Sequence, residues 1–236
     1  MIKSQNNINN WVIKLNNKLI IFDLDGTLFT TEDVTIAAIK KAFSKMELDI
    51  PAEDIISNHF GEMTTQICKS LFPEGNKKEI DELSKLALKY EKALIPKKGK
   101  LYPGIKDILD ELNNRNHKLV ICSNASIEYI NLVLESQEIK RYFNEVHSNK
   151  SINDKGLIVK KLLKEYETNK AILIGDSYSD LLAAEKNNIV KIYAAYGYSS
   201  KSYNLNYLEV NSPTDILSHV NRIELLWKIE ESKKRN

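Results

Sequence analysis

The chain has 236 residues, with 34 lysines and arginines against 32 aspartates and glutamates, for a formal net charge of +2. This length suits one sizeable α/β domain, or a core domain that carries a smaller insert. The near balance of charge gives no electrostatic footprint for nucleic acid or for an anionic membrane. The N-terminal residues contain no long apolar run, which argues against a signal peptide or a membrane span. We therefore expect a soluble, cytoplasmic protein.

The pattern of the two cysteines also indicates a cytoplasmic protein. Cys68 and Cys122 lie far apart in the sequence and lack the spacing of metal ligands. This usage is typical of a reducing environment without structural disulfides. We expect both side chains to be small buried hydrophobes.

The first predicted core element is a strand over Leu19–Phe22, four large apolar residues. The 17 residues before it are largely polar, and their apolar cluster, Trp11–Leu15, fits either an edge strand or a frayed tail. An apolar run too short for a free-standing helix predicts a buried parallel strand. Asp23 and Asp25 follow it directly and therefore lie at its carboxyl end, where open α/β sheets bind ligands.

Two carboxylates this close repel each other, and burial alone would keep one of them protonated near neutral pH. A hard divalent ion with oxygen ligands, Mg²⁺ above all, relieves the repulsion and normally brings a phosphate with it. Asp23 and Asp25 can share one face of the strand, while Gly26 lets the second acid turn away and act on protons. The alternative is a polar strand end with a turn-forming Asp-Gly pair.

After Thr30 the apolar pattern changes from that of a strand to that of a helix. Apolar residues recur at three-to-four spacing from Val34 to Met46. Further helices are predicted around 52–59, 62–71 and 76–94, with prolines and glycines between them. The block closes at Ile95–Lys100, a hinge-like stretch of helix breakers and charges. The sequence thus predicts an all-helical insert over residues 30–96.

From Tyr102 onward, predicted strands and helices alternate. The predicted strands are Lys118–Cys122, a short one near Glu145, Ala171–Gly175 and Val190–Ala195, and the last predicted helix covers about 214–228. Such alternation is typical of a doubly wound parallel sheet with right-handed crossovers. We therefore expect an α/β core built from residues 1–29 and 97–236, into which the helical domain is inserted.

Polar residues follow three of the predicted core strands. They are Asp23 and Asp25, then Ser123 and Asn124, and finally Asp176. Since the carboxyl ends of parallel strands lie on one side of a sheet, we expect these side chains to converge there. A hydroxyl and an amide can hold phosphoryl oxygens, and a third carboxylate can join the metal. Lys155, at the start of a predicted helix, offers a cation beside a helix amino end that favours anions.

With these residues, the chain resembles the haloacid dehalogenase-like (HAD) superfamily of phosphohydrolases, in its phosphoglycolate phosphatase-like branch. The stretches that match its four motifs in order are Asp23–Leu28, Ile121–Asn124, Lys155 and Gly175–Asp180. The first and fourth motifs are specific, and their joint occurrence is stronger than either alone. The resemblance implies a Rossmann-like core, with the helical insert as a C1-type cap that closes over the site as a lid.

The resemblance also implies roles for individual residues. Asp23 matches the nucleophile that becomes an aspartyl-phosphate, and Asp25 matches the general acid/base. Mg²⁺ would be held by the Asp23 side chain, the Asp25 carbonyl and Asp176. Ser123 and Lys155 match the phosphate-binding hydroxyl and lysine, with Asn124 as an additional donor.

Several supporting residues leave alternatives open. Lys150 competes with Lys155 for the role of phosphate-side lysine, and the glycine and apolar helix after Lys155 favour the latter. Asp180 either reaches metal-bound water, orients Lys155, or is simply a helix N-cap. Thr27 is interpreted as a turn-stabilising hydroxyl, and Gly175 supports the fourth motif.

The stretch His59–Met63 resembles the cap loop that faces substrate in phosphoglycolate phosphatase-like proteins. Gly61 and Glu62 are therefore candidate substrate contacts. The chain departs from many such proteins in having Thr30-Thr31 where they have Asp-Ser, so the family resemblance does not transfer one particular substrate.

These observations favour a Mg²⁺-dependent phosphatase that hydrolyses a small phosphomonoester, with a phosphoglycolate-like compound as one candidate. Asp25 argues against a haloacid dehalogenase, since those proteins lack the second acid. A sugar phosphomutase of the same superfamily and a non-catalytic phospholigand-binding protein are the alternatives. The expected partner is a small phosphorylated metabolite, with no nucleic acid or membrane, and the expected state is a monomer or homodimer.

Overall fold

The computed structural model describes residues 18–149, 154–198 and 203–235; the predicted N-terminal strand or tail and Lys150 lie outside them. The described chain forms two compact units. The first contains the residues before Phe29, Tyr102–Ile127 and the residues after Lys140. The second contains Phe29–Leu101 and Glu128–Lys140. The predicted insert, 30–96, falls within the second unit, while the proposed division into core and cap domains stays a prediction.

The elements follow one another from a buried strand near the N-terminus to a long C-terminal helix. In chain order they are β1 (Leu19–Phe22), β2 (Phe29–Thr30), α1 (Glu32–Lys45), α2 (Glu53–Ser57), α3 (Thr64–Leu71), α4 (Lys77–Lys98), β3 (Lys100–Leu101), α5 (Ile105–Asn114), β4 (Lys118–Ser123), α6 (Ile127–Ser136), β5 (Glu145–Ser148), α7 (Lys155–Glu165), β6 (Ala171–Gly175), α8 (Tyr178–Lys186), β7 (Val190–Ala194), β8 (Leu208–Val210) and α9 (Asp215–Arg235). A short 3₁₀ turn, Lys140–Tyr142, precedes β5.

The first unit is built on a six-stranded sheet in the order β5-β4-β1-β6-β7-β8, with every neighbouring pair parallel. Strand β1 lies between β4 and β6, and its four residues are completely buried. Continuous apolar runs such as Leu19–Phe22 suit this position because a parallel sheet is covered on both faces. The predicted α/β fold with a parallel sheet is confirmed.

The register of the central strands decides where the polar residues emerge. Phe22 is level with Ile121 of β4 and with Ile174 of β6. The three strands therefore end side by side, and the residues that follow them lie along one edge of the sheet. Helices α7 and α8 support this edge from one face, where Val159 and Ala184 pack in the same apolar cluster as Val120.

The second unit has its own apolar core. Helices α1 to α4 contribute buried residues such as Phe43, Ile56, Cys68 and Leu83 to one cluster. The short strands β2 and β3 pair antiparallel, with Phe29 opposite Leu101. Strands of two residues are too short to leave a hydrophobic pattern, so the sequence did not predict this pair.

The predicted hinge at Ile95–Lys100 is wrong in its local structure. Helix α4 continues through Pro96 to Lys98. A proline near the end of a helix removes one backbone hydrogen bond and leaves most of the last turn intact. The Gly99 N–H donates to the Ile95 carbonyl at 2.9 Å and closes the helix, and β3 begins at the next residue.

Two elements at the C-terminal end also differ from the prediction. Strand β8 was missed because only three residues, Leu208–Val210, pair with β7, and an exposed glutamate interrupts them. Helix α9 extends to Arg235, well beyond the predicted end near residue 228. In the described part of the chain, no helix combines the length and hydropathy needed to cross a membrane.

Both cysteines are free and buried, as the sequence predicted. Burial raises the pKa of the Cys68 thiol to about 11 and that of the Cys122 thiol to about 12. Both groups are therefore protonated thiols at neutral pH, and such buried thiols are chemically inert.

One buried carboxylate stands in the core of the second unit. Glu91 of α4 is 6% exposed and accepts hydrogen bonds from the hydroxyls of Thr35, at 3.2 Å, and Thr64, at 2.8 Å. Burial raises the pKa of Glu91 above its ordinary value of 4.5, and the two hydroxyl donors only partly oppose this. The folded protein therefore holds a proton on Glu91 at pH values where the unfolded chain has released it.

This difference in proton binding predicts a pH-dependent stability. The contribution of Glu91 to the free energy of unfolding is fully present below about pH 4.5. It is lost as the pH rises through the higher pKa of Glu91 in the folded state. We expect the thermal unfolding midpoint of the wild type to fall, relative to that of Glu91→Gln, as the pH rises above about 4.5. Glu82→Gln, at an exposed position of the same helix, is the control and should follow the wild type. Parallel pH profiles for Glu91→Gln and the wild type would contradict the interpretation.

Candidate active site

Three carboxylates meet at the carboxyl edge of the sheet. Asp23 follows β1, Asp176 follows β6, and Asp180 lies in the first turn of α8. One oxygen from each lies within 4.8 Å of the other two, and all three residues are buried. The level ends of β1 and β6 bring Asp23 and Asp176 together, and the following helical turn adds Asp180.

A lysine joins this cluster from another element. Lys155, the first residue of α7, donates from Nζ to Asp23 Oδ1 at 2.6 Å and also to Asp180 Oδ1. Burial disfavours its charge, but the carboxylates of Asp180 and Asp23 outweigh burial and raise the pKa of Lys155 above its ordinary value. Lys155 is therefore a buried ammonium that bridges two of the three acids.

One ammonium does not balance three carboxylates. Burial raises the pKa of Asp23 to about 6 even though Lys155 opposes the shift. Burial, together with the charges of Asp23 and Asp180, raises the pKa of Asp176 to about 8. Both acids would ionise more readily beside a further cation, and their oxygen atoms are the ligands that a hard divalent ion prefers. The donor set therefore fits a divalent cation.

Three glycines let the backbone approach these carboxylates closely. A Cβ on Gly26, whose φ is +77°, would lie 2.2 Å from Asp176 Oδ2. A Cβ on Gly197 would lie 2.4 Å from the Asp176 Cβ, and one on Gly175 would lie 2.3 Å from the Asp180 Cγ. Since these distances are shorter than any ordinary contact, a side chain at any of the three would displace a carboxylate.

Asp180 is not the N-cap of its helix. Ser177 occupies that position, and Asp180, three residues on, accepts at Oδ2 from the Ser177 N–H at 3.1 Å and from its hydroxyl at 2.5 Å. The Asp180 carboxylate thus satisfies the Ser177 N–H, as the acid of a capping box does. The other oxygen of Asp180 accepts from Lys155, so the acid links the start of α8 to the lysine. Of the alternatives that the sequence left open, this geometry favours orientation of Lys155.

The turn after β1 is held by its backbone. Leu28 N donates to the Leu24 carbonyl at 2.9 Å, and the Thr27 carbonyl accepts from the Tyr196 hydroxyl at 2.7 Å. The Thr27 side-chain hydroxyl is buried and has no hydrogen-bond partner in the part of the chain that the structure describes. The interpretation of Thr27 as a turn-stabilising hydroxyl is therefore wrong. Asp25 lies half-buried on this turn, and its carboxylate is outside the three-acid cluster.

Strand β4 delivers Ser123 and Asn124 to the same edge. Ser123 is 2% exposed, and its hydroxyl accepts from the Ala125 N–H at 3.1 Å. Asn124 is exposed, and its Oδ1 accepts from Asn149 Nδ2 at 2.9 Å. The structure thus brings together Asp23, Ser123, Asn124, Lys155, Asp176 and Asp180 in the first unit.

Sequence reasoning missed two groups at this edge. Tyr198 N donates to Asp176 Oδ2 at 2.9 Å, and this tyrosine with Tyr196 and Gly197 belongs to the loop after β7. Asn149 follows β5 in the same way. Strand β7 is followed directly by Ala195, so the signal that found Asp23 and Asp176, a polar residue directly after an apolar strand, could not have identified that loop.

The candidate cap residues Gly61 and Glu62 belong to the second unit, between α2 and α3. Gly61 has a φ of +88°, and Glu62 Oε1 lies 3.2 Å from Nδ1 of His59. These contacts fix the shape of the turn. The expected contact with substrate stays a prediction.

The fold and the site define an α/β enzyme core with acids gathered at the carboxyl edge of a parallel sheet. Haloacid dehalogenase-like hydrolases are the family whose sequence pattern matches, over residues 20–194, and the chain belongs to that family. The prediction of a hydrolase with this core is confirmed.

Relatives and solved structures give the same picture. The chain is similar to a phosphoglycolate phosphatase from Agrobacterium fabrum, with 26% identity over 77% of this chain and 82% of the relative. It is 24% identical to the pyrophosphatase PpaX of Oceanobacillus iheyensis, over 87% of this chain and 94% of the relative. A crystal structure of a predicted phosphoglycolate phosphatase from Haemophilus somnus superposes with a TM-score of 0.77 at 19% identity, covering 87% and 98% of the two chains. The last likeness concerns the fold alone.

The close approach of Gly26 to Asp176 predicts a selective loss of activity. In Gly26→Ala, the new methyl group should displace the Asp176 carboxylate and lower kcat/KM on p-nitrophenyl phosphate by about 100-fold, the effect of misplacing a reacting group by about an ångström. Gly104→Ala is the matched control, because its φ is also positive, at +83°, but its Cβ meets only the Thr214 methyl at 3.3 Å. That variant should lose stability and keep its turnover. Equal kcat/KM for the two variants would argue against the role of the Gly26 contact.

Proposed function

We propose that this chain is a Mg²⁺-dependent phosphatase that hydrolyses a small phosphomonoester through an aspartyl-phosphate on Asp23. The observation that carries the proposal is the position of Asp23, bonded to Lys155 and within 4.8 Å of two further carboxylates. A carboxylate held by one cation, in a cluster that fits a second, is oriented and charged for nucleophilic attack.

Asp23 and Asp25 divide the chemistry between them. A carboxylate oxygen of Asp23 forms a bond to phosphorus while the bond from phosphorus to the ester oxygen breaks, and Asp25 gives its proton to the departing alkoxide. Asp25 then removes a proton from water, whose oxygen attacks phosphorus and releases inorganic phosphate and the Asp23 carboxylate. The half-buried position of Asp25 on a turn beside Asp23 supports this exchange of protons.

The remaining residues of the site would bind the metal ion and the phosphoryl group. The side chains of Asp23 and Asp176, with the carbonyl of Asp25, would hold Mg²⁺, which neutralises negative charge on the transferred phosphoryl group. Ser123, Asn124 and Lys155 would bind the phosphoryl oxygens. Asp180 fixes the lysine through its charged hydrogen bond, and the Ser177 N–H and hydroxyl fix Asp180 in turn.

A small phosphorylated metabolite is the substrate class that this site and the relatives support. The names of the relatives differ between phosphoglycolate phosphatase and pyrophosphatase, and identities near 25% do not transfer either activity. What those compounds share is a phosphoryl group on a small leaving group.

Removal of the nucleophile gives a direct test. Asp23→Asn keeps the size of the side chain but loses the anionic oxygen, so we expect turnover of p-nitrophenyl phosphate to fall by about 10⁴-fold or more. Asp107→Asn, at an exposed position of α5, should retain wild-type activity. Comparable turnover by Asp23→Asn and the wild type would reject the mechanism, and steady transfer of phosphate to a sugar phosphate instead of water would favour a phosphomutase.

Removal of the metal gives a second test. Treatment with a chelator should abolish turnover, and addition of Mg²⁺ should restore it, because Asp23 and Asp176 need a cation to ionise together. The melting temperature of the wild type should also rise with Mg²⁺, since binding to the folded state alone stabilises it. In Asp176→Asn this rise should be much smaller. Full activity after exhaustive chelation would contradict the proposed metal dependence.

A further inference from the structure

A buried amide oxygen next to the proposed site has no partner. Asn149 is 7% exposed, and its Oδ1 makes no hydrogen bond in the part of the chain that the structure describes. The rest of this residue is well held, because its backbone N–H donates to the Ser123 carbonyl at 2.7 Å and its Nδ2 donates to Asn124 Oδ1 at 2.9 Å. The unpaired oxygen is thus a fixed acceptor, not the end of a loosely held side chain.

The sheet topology locates this acceptor relative to Asp23. Asn149 directly follows β5, which pairs with β4, and β4 pairs with β1. Neighbouring strands are about 4.8 Å apart, so the axes of β1 and β5 are separated by roughly 10 Å along the same edge. A group of the substrate several bonds away from phosphorus spans such a distance.

An unpaired buried acceptor is costly, and nearly all buried polar groups in folded proteins find a partner. The missing partner must be a hydrogen-bond donor. A carboxylate or a phosphate cannot supply it, because ionised acids only accept.

The side-chain amide of Asn124 offers a donor to complement this acceptor. Its Oδ1 is occupied by Asn149, so Nδ2 is the remaining group of this amide. Nδ2 carries two N–H groups, so it can donate to a phosphoryl oxygen, as proposed above, and also to a neighbouring hydroxyl. Through this shared hydrogen bond, the two amides place one unused donor group, Asn124 Nδ2, and one unused acceptor, Asn149 Oδ1, on neighbouring side chains. A hydroxyl group, which both donates and accepts, is complementary to this pair.

We infer that Asn124 and Asn149 form a subsite, here called the amide pair, that binds a hydroxyl group on the leaving alcohol of the substrate. The substrate class is then a phosphorylated polyol or sugar. Phosphoglycolate fits less well, because its carboxylate would face the carbonyl oxygen of Asn149. This inference rests on the proposed phosphatase function and narrows it.

Two substrates that differ only in their hydroxyl groups provide the test. Glycerol 1-phosphate and propyl phosphate have the same carbon chain and the same phosphoryl group. For the wild type, we expect kcat/KM on glycerol 1-phosphate to exceed that on propyl phosphate by about fivefold, the effect of one good hydrogen bond. The ratio does not depend on how much of each preparation is folded, since both substrates are assayed with the same enzyme.

Substitutions at Asn149 test whether the amide pair causes the preference for glycerol 1-phosphate. In Asn149→Ala the ratio should fall to about one, whereas in Asn149→Asp, which keeps an oxygen acceptor, it should persist while activity on phosphoglycolate decreases. Asn113→Ala, at an exposed position of α5, should keep the wild-type ratio. A ratio near one in the wild type, or one that Asn149→Ala leaves unchanged, would overturn the inference.

A binding measurement separates this inference from the proposed function. If the wild type hydrolyses neither compound, the phosphatase proposal fails, and calorimetric titration with the same two phosphates still tests the amide pair. Tighter binding of glycerol 1-phosphate than of propyl phosphate, lost in Asn149→Ala, would support it. Equal affinities would reject it.

Discussion

The arrangement of this site depends on the charge balance around Lys155. The lysine is buried where Asp23 and Asp180 both accept from its Nζ, while Asp176 completes a cluster of three carboxylates. Breaking such a buried pair is expensive, because the remaining charge is left in a medium that cannot solvate it. The same shortage of positive charge that raises the pKa of Asp23 and Asp176 is what makes the edge receptive to a cation and a phosphoryl group.

The sheet supplies the rigid frame for these charges. Strand β1 is buried on both faces and in level register with β4 and β6, so small displacements of one acid relative to another would disturb close-packed apolar residues. The glycines at positions 26, 175 and 197 then allow backbone and carboxylate to approach more closely than any side chain would permit. Functional groups stand on the strand ends and turns, and the apolar strands beneath hold them still.

The residues proposed to select the substrate lie farther along the carboxyl edge of the sheet than the residues proposed to carry out catalysis. The carboxylate cluster recognises a phosphoryl group, which every candidate substrate shares, so it cannot distinguish among them. In the amide pair, Asn124 follows β4, the neighbour of β1, and Asn149 follows β5, two strands from β1, so the pair extends toward the variable part of a substrate. A site that leaves a buried acceptor unpaired unless the correct group arrives discriminates strongly against analogues that lack this group.

The sequence by itself determined the α/β class, the strand at Leu19–Phe22 and the acids that follow the strands, because apolar runs and the residues that end them are local signals. It did not determine that Ser177 caps α8, that Thr27 acts through its backbone, or that α4 continues through Pro96, since each depends on partners that become neighbours only in the folded chain. The sequence proposed Lys155 for the site, but its hydrogen bonds to Asp23, 132 positions earlier, and the unpaired oxygen of Asn149 were decided by the tertiary structure. Strand register and burial create those contacts, and neither quantity is encoded in any single stretch of sequence.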